Sequence, residues 1–399
     1  MFDILRHITQ ELTVLKMKGN YRHFLNLVKD EAGNPFIRFK KDGNWNKAVN
    51  YCSNDYLSMS THPAVVEAFN VVARKYGVGS GGTRNISGTT ESHISLEKKL
   101  SQWHKKEAAL LFGSAYIANL ATLQTIGRKM HELIFFSDEK NHASLIEGMR
   151  SAGNQKIVFR HNDTSDLEEK LSKADPYTPK LVVFESIYSM NGEIAPVSDI
   201  IHLARKYKAM TYIDEVHAVG IYGENNAGYC DLNKIELKPD IINGTLSKAI
   251  GTYGGYIAAS AEIVDFIRSF GSGFIFTTSL PPAVCSAAEA SINILMKDTE
   301  RVEKMKSLVK VFRNSLTHEG IYFRNNHSHI TPITIGNPEK CKNLADRLLV
   351  DHRIYIQPIN HPTVPFGEEC LRVIITSAHT EEQVHDLVRK IKTCIHARD

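Results

Sequence analysis

The chain has six cysteines (Cys52, Cys230, Cys285, Cys341, Cys370, Cys394) but no C-x-x-C pair. Spacing this wide supports neither a zinc site nor a disulfide framework, and reads as the reduced thiols of a cytosolic protein. No apolar stretch is long enough to span a bilayer. The opening "MFDILRHITQELTVLKMKGN" looks amphipathic, but Asp3, Arg6 and Glu11 interrupt any signal-peptide core. It also lacks the Arg- and Ser-rich character of an organellar transit peptide, so the expected location is cytoplasmic. Charge is not one-sided: 48 basic and 44 acidic residues leave a net +4 with no long basic run. Nothing there calls for nucleic acid or an anionic membrane as partner. Internal repeats and low-complexity linkers are missing too. The most glycine-dense stretch, "YGVGSGGTRNISGTTESH" (76–93), has no G-K-[ST]. Nor does an acidic residue follow it where a dinucleotide fold needs one. Its glycines better suit a loop that passes close to a ligand.

What the chain does have is size and alternation. Its 399 residues, 42% hydrophobic and 23% charged, fit a soluble globular protein of two or three domains. "KLVVFES" (180–186), "MTYIDEVH" (210–217) and "DIINGTLSK" (240–248) read as buried strands, and "PVSDIIHLARKYKA" (196–209) as a helix between them. Strands about 30 residues apart with a helix between are βαβ units and build a mainly parallel sheet. Ligands bind beyond the carboxyl ends of such strands, where Glu185, Ser186, Asp214, His217 and Lys248 fall. The expected layout is an N-terminal helix and extension (1–55), a large α/β domain (56–290) and a small α+β domain (291–399). Within the large domain "GFIFTTSLPP" (273–282) reads as an apolar strand ended by threonines.

Lys248 sits among small and apolar neighbours in "NGTLSKAIGTYGGY" (243–256). An unpaired buried ammonium is costly, so desolvation favours the neutral amine, a nucleophile suited to Schiff-base chemistry. The alternative is a surface lysine in a glycine-bounded loop. Asp214 ends a buried strand and needs a cation or hydrogen bonds there. A protonated pyridine nitrogen is one such partner, as pyridoxal phosphate enzymes require; a structural salt bridge is the other. "DEVH" also suggests a metal pair, Asp214 with His217, but no further ligand pattern stands nearby. "GSAYIANLATLQTI" (113–126) starts a helix whose backbone N–H groups suit a phosphate.

The motifs "CSNDYL", "GSGGTRNISGTTESH", "SAYIAN", "NHASLIEGMR", "FESIYSMNGEIAP", "YIDEVHAVGIYG", "NGTLSKAIGTYGGYIAAS", "GFIFTTSLPP" and "YIQPINHPTVP" follow one another as in the α-oxoamine synthases, which the chain resembles over almost its whole length. That resemblance implies a fold-type I pyridoxal phosphate enzyme: a large domain with a mainly parallel seven-stranded sheet flanked by helices, plus a smaller α+β domain. Such enzymes join an amino acid to an acyl-CoA with loss of CO2, and work as homodimers with sites at the subunit interface. By position, Lys248 is the implied Schiff-base lysine, Asp214 the partner of the pyridine nitrogen, and His142 the stacking residue. His217 and Ser189 lie near the phenolic oxygen, and Glu185 belongs to the same cofactor set. Ser114, Ala115, Tyr116 and Thr245 hold the phosphate, joined by Thr277 and Thr278 of the neighbouring subunit. Arg372 pairs with the amino-acid carboxylate, with Asn54 beside it.

"TRNISGTT" is similar to the branch that condenses glycine with succinyl-CoA to 5-aminolevulinate. There Arg22, Thr83, Asn85, Ile86 and Thr363 form the acyl set, while Ser137 and Lys156 match further positions for the CoA ester. One departure is "PTVPFG", with Phe366 where the family has arginine. The rival readings are a family member using a different acyl-CoA and a non-catalytic member acting as a partner subunit.

Overall fold

The computed structural model describes residues 3–22 and 24–396. Two compact units emerge, one of residues 57–189 and 193–302, the other of residues 1–56, 190–192 and 303–399.

The larger unit is built on a seven-stranded sheet. In spatial order its strands are Ala108–Phe112, Gly255–Ala259, Ile241–Thr245, Met210–Asp214, Lys180–Glu185, Ile134–Asp138 and Lys156–Phe159. Gly255–Ala259 runs antiparallel to both its neighbours, and all other pairings are parallel. Every residue of Lys180–Glu185 is buried, as a parallel strand covered on both faces requires. Leu181 and Val183 join one apolar layer with Tyr212, Ile241 and Ile257; Val182 and Phe184 join the other with Ile213 and Ile242. The period of two sends alternate side chains to opposite faces. At the carboxyl ends the register sets Glu185 opposite Asp214, and Asp214 opposite Asn243.

The segment that reads as a strand at 273–276 is a one-turn helix, Ser272–Ile275. Gly273 lies against Ala121 on a neighbouring helix, and Phe274 is buried edge-on to Phe112 at 5.7 Å while Phe276 stays 81% exposed. Packing onto a helix overrides the β propensity of the aromatic residues.

The smaller unit holds a four-stranded sheet (Leu27–Lys29, Phe36–Lys41, Asn44–Asn50, Ile354–Tyr355). It also holds a three-stranded sheet ordered Ile330–Thr334, Cys370–Ile374, Pro358–Ile359. The helices Pro338–His352 and Glu381–His396 belong to it as well. Among the described residues no helix is long and apolar enough to cross a membrane, and no group of His, Cys, Asp and Glu side chains is placed to hold a metal ion.

One close approach ties the fold to the sheet end used below. A Cβ on Gly255 would lie 2.1 Å from the amide nitrogen of Ala115 and 2.4 Å from its Cα, so only glycine lets the strand touch the start of the helix Ala115–Lys129. Gly255→Ala is therefore expected to destabilise the protein by about 1–3 kcal/mol, the usual cost of overpacking, read as a lowered urea midpoint at unchanged slope. An unchanged midpoint would contradict the contact.

Candidate active site

Asp214 ends its strand 3% exposed. Its Oδ1 accepts from the Val216 amide at 2.9 Å, and its Oδ2 from the Asn119 side-chain amide at 2.6 Å. Asn119 also donates to Ser144 Oγ (2.9 Å) and accepts from the Tyr212 hydroxyl (2.8 Å), and Asn119, Tyr212 and Ser144 are all buried. The carboxylate is thus oriented by an amide that is itself pinned at both ends, which leaves it acceptor capacity for a cation. Sequence reasoning missed Asn119. Its signal was an amide inside the otherwise apolar helical stretch "SAYIANLATL", in a position that burial would force to find a partner.

Lys248 follows the next strand. Its Nζ lies 2.9 Å from His217 Nε2, a contact in which one of the facing nitrogens must lack a proton. His217 is 4% exposed. His142 caps the helix Ala143–Ala152, accepting the Ser144 amide at Nδ1, while its own amide donates to Glu185 at 2.6 Å. Burial lowers the His142 pKa, with the Lys248 charge adding and the Asp214 charge opposing. A neutral ring results, suited to face-on contact with an aromatic ligand. Burial, with the Asp214 charge adding, pushes the Glu185 carboxyl well above the usual range, and its Oε1 holds the His142 amide.

Ser114 caps the helix Ala115–Lys129 by accepting from Ile117 at 3.2 Å. The first amides of that helix, at Ala115 and Tyr116, lie outside the intrahelical ladder and point out of its end. Thr245 ends the strand before Lys248, 4% exposed, and donates to Gly254 O at 3.2 Å. A helix start for an anion, a buried carboxylate for a cation, a neutral imidazole for a ring and an amine for a carbonyl suit a phosphorylated pyridine aldehyde.

The other expected residues are placed as follows. Thr278 forms an isolated bridge with Thr83, whose hydroxyl donates to Asn85 Oδ1 at 2.7 Å, so Thr277 and Thr278 adjoin the glycine-rich loop. Ile86 on that loop is 81% exposed. Ser137 is buried, its hydroxyl bonded to Asp138 O and Asn141 Nδ2 at 3.1 and 3.0 Å; Lys156 is exposed at its strand start. Ser189 lies between Tyr188 and Met190, in the turn after the Glu185 strand.

In the smaller unit Arg372 is 7% exposed and donates to Asn54 Oδ1 at 3.1 Å, beside Tyr56, whose hydroxyl donates to the same oxygen. Tyr56, not anticipated from sequence, fixes the acceptor that orients the guanidinium. Arg22 Nη2 donates to Thr363 Oγ1 at 3.1 Å. Both line a cavity of about 410 Å³ with Lys342, Asn360 and His361. Phe366 stacks on His361, centroids 4.0 Å apart and planes 14° from parallel.

Residues 46–391 match the family model described as aminotransferase class I and II. The chain is 46% identical over 390 residues to a 5-aminolevulinate synthase of Paracoccus denitrificans, covering 97% of this chain and 95% of that one. It is 46% identical over 373 residues to the 5-aminolevulinate synthase of Rickettsia prowazekii, covering 94% and 89%. Among solved structures, a serine palmitoyltransferase from S. paucimobilis with bound PLP–myriocin superposes with a TM-score of 0.90 at 28% identity, covering 99% of both chains. Likeness of this degree along the whole length means that the chain belongs to the aminotransferase class I and II family, in the α-oxoamine synthase branch that includes the 5-aminolevulinate synthases.

Proposed function

We propose that the protein condenses glycine with succinyl-CoA, releasing CO2 and CoA and giving 5-aminolevulinate, with pyridoxal phosphate as cofactor. The observation that carries this reading is the Lys248–His217 contact on the same sheet edge as the buried, Asn119-oriented Asp214, in a chain so similar to the 5-aminolevulinate synthases. Bound pyridoxal phosphate supplies an electron sink that stabilises negative charge at a substrate Cα, which both carbon–carbon bond formation and decarboxylation need.

The chain's residues have distinct tasks around that chemistry. Asp214, desolvated and held by Asn119 and Val216, would keep a proton on the pyridine nitrogen by opposite charge. His142 covers a ring face as a neutral imidazole. Ala115 and Tyr116 amides, with Ser114 and Thr245, hold the phosphate at the positive end of a helix. Lys248 Nζ would anchor the cofactor, take the proton from glycine Cα and return it to the product, and His217 and Ser189 would bind the phenolic oxygen. Arg372 binds the glycine carboxylate through its guanidinium fork, held at the right angle by Asn54. Arg22 and Thr363 of the smaller unit, and separately Thr83, Asn85 and Ile86 of the larger one, are assigned to the succinyl end, and the exposed Lys156 to the CoA phosphates. Ser137, by contrast, is buried with its hydroxyl bonded to Asp138 O and Asn141 Nδ2, and is not free to reach a thioester.

The working unit is a homodimer in the cytoplasm, with Thr277 and Thr278 serving the partner's phosphate. The helix Ile4–Met17 supports a second copy: no residue on it is buried, and Leu5, Ile8 and Leu12 are 71%, 49% and 44% exposed along one stripe.

Lys248→Ala should abolish 5-aminolevulinate formation from glycine and succinyl-CoA while the protein still takes up pyridoxal phosphate non-covalently, since the residue is both anchor and base. Near-normal turnover would remove Lys248 from that role. Arg22→Leu should cost about 2 kcal/mol in kcat/KM with succinyl-CoA, the lower end for a charge-assisted partner, because Arg22 is exposed in the single chain. The same variant should change butyryl-CoA turnover little; equal losses with both thioesters would sink the assignment of a carboxylate site.

A further inference from the structure

The hairpin that carries Ser189 is tied down by a histidine that the reading above leaves without a task. His161 follows the strand Lys156–Phe159, and its ring spans two carboxylates: Nδ1 is 2.8 Å from Asp138 Oδ1, and Nε2 is 2.6 Å from Glu193 Oε2. Asp138 ends its strand with a side chain 0% exposed, and the His161 side chain is 10% exposed. Glu193 lies on the returning arm of the hairpin, which is closed by the Ile187–Ile194 bridge and by the Tyr188 amide donating to Glu193 O at 3.0 Å. Tyr188 packs edge-on against the imidazole, centroids 4.4 Å apart.

A neutral imidazole can donate from only one nitrogen. Two carboxylate oxygens at hydrogen-bond distance therefore call for both ring nitrogens protonated, or one contact becomes a repulsion between lone pairs. We propose that His161, as an imidazolium bridging Asp138 and Glu193, is a positioning residue that holds the 187–194 hairpin, and with it Ser189, in register at the cofactor site, and releases it on losing its proton. The inference rests on the reading that Ser189 meets the cofactor.

The surroundings favour the charged ring. Asp138 Oδ2 accepts the Asn162 amide and its Oδ1 the Lys140 amide, at 3.0 and 2.8 Å, which fixes the carboxylate. Glu139 accepts the His161 amide at 3.4 Å. Opposing the charge is Lys140, whose Nζ is 3.7 Å from Glu193 and whose side chain is 40% exposed. On the histidine's own loop Arg160 and Asp163 pair with each other at 2.8 Å. Burial works against the proton, but the hydrogen bonds to Asp138 and Glu193 and the Asp138 charge outweigh it and raise the His161 pKa. A raised folded-state pKa means that the clamp contributes fully below the unfolded histidine value of about 6.5, and is lost as pH rises through the folded value.

The test uses holoenzyme with 13C-labelled histidine and measures two things between pH 6 and 9: the titration of the His161 ring, assigned by its loss in His161→Gln, and the dissociation constant of pyridoxal phosphate by equilibrium dialysis. The ring should titrate above about 6.5. His161→Gln should weaken cofactor binding about tenfold at the acid end, and this ratio should shrink towards one beyond the His161 titration, where the wild-type clamp is already discharged. A ring titrating at or below the unfolded value, or a ratio that does not change with pH, overturns the proposal. Should His161→Gln fail to fold, Glu193→Gln keeps an acceptor but removes a charge, and must move both the ring titration and the affinity profile to lower pH. A wild-type protein that takes up no pyridoxal phosphate overturns the cofactor reading and this inference together, whereas wild type and variant binding alike at every pH overturns only this inference.

Discussion

A carboxylate held out of water at the end of a central strand is the constraint around which the larger unit is organised. Asp214 is desolvated by the sheet's two apolar layers, and such a group survives only if its oxygens are hydrogen-bonded and a cation is offered to it. The protein meets the first condition with Asn119, itself fixed by Tyr212 and Ser144. The second is what the proposed pyridine nitrogen would meet. Helix, strand and cap are thereby locked into one arrangement, since moving any of them strands a buried polar group.

The same edge of the sheet collects the other tools because the strands are parallel there. Glu185, Asp214 and Thr245 end three adjacent strands, and the loops that follow carry Ser189, His217 and Lys248. Parallel order puts all three loops at one end. The antiparallel strand Gly255–Ala259 instead returns its glycine-lined start to the helix cap at Ser114 and Ala115, bringing a helix N-terminus to the same edge.

In the smaller unit the same economy appears with one charge. Arg372 is nearly buried, and Asn54 and Tyr56 share the work of fixing its fork. Arg22 and Thr363, 341 residues apart in the chain, meet at the wall of a cavity. Beside them Phe366, the departure from the family's arginine, packs flat on His361. Phenylalanine there offers only a surface, where a guanidinium would offer directed hydrogen bonds.

Much of this was legible in sequence because burial leaves a local signature. Unbroken apolar residues at 181–184 and 241–242 announced strands covered on both faces, and the polar residues that follow them marked where ligands go. Asp214 and Lys248 stood out as charged types among apolar and small neighbours; the structure buries Asp214 and leaves Lys248 half-buried against His217. The one-turn helix at 272–275 was not legible, since alternating aromatics look the same whether they pack on a sheet or a helix. Asn119 could be suspected as a buried amide, but its partner lies 95 residues away. His161, joined to Asp138 and Glu193 across 23 and 32 residues, has no local pattern at all. Sequence by itself determined which strands are covered on both faces and that Asp214 ends one of them, because an apolar run depends on near neighbours. Which side chains meet was decided by strand order and register, because only the assembled sheet brings distant chain ends within hydrogen-bond reach.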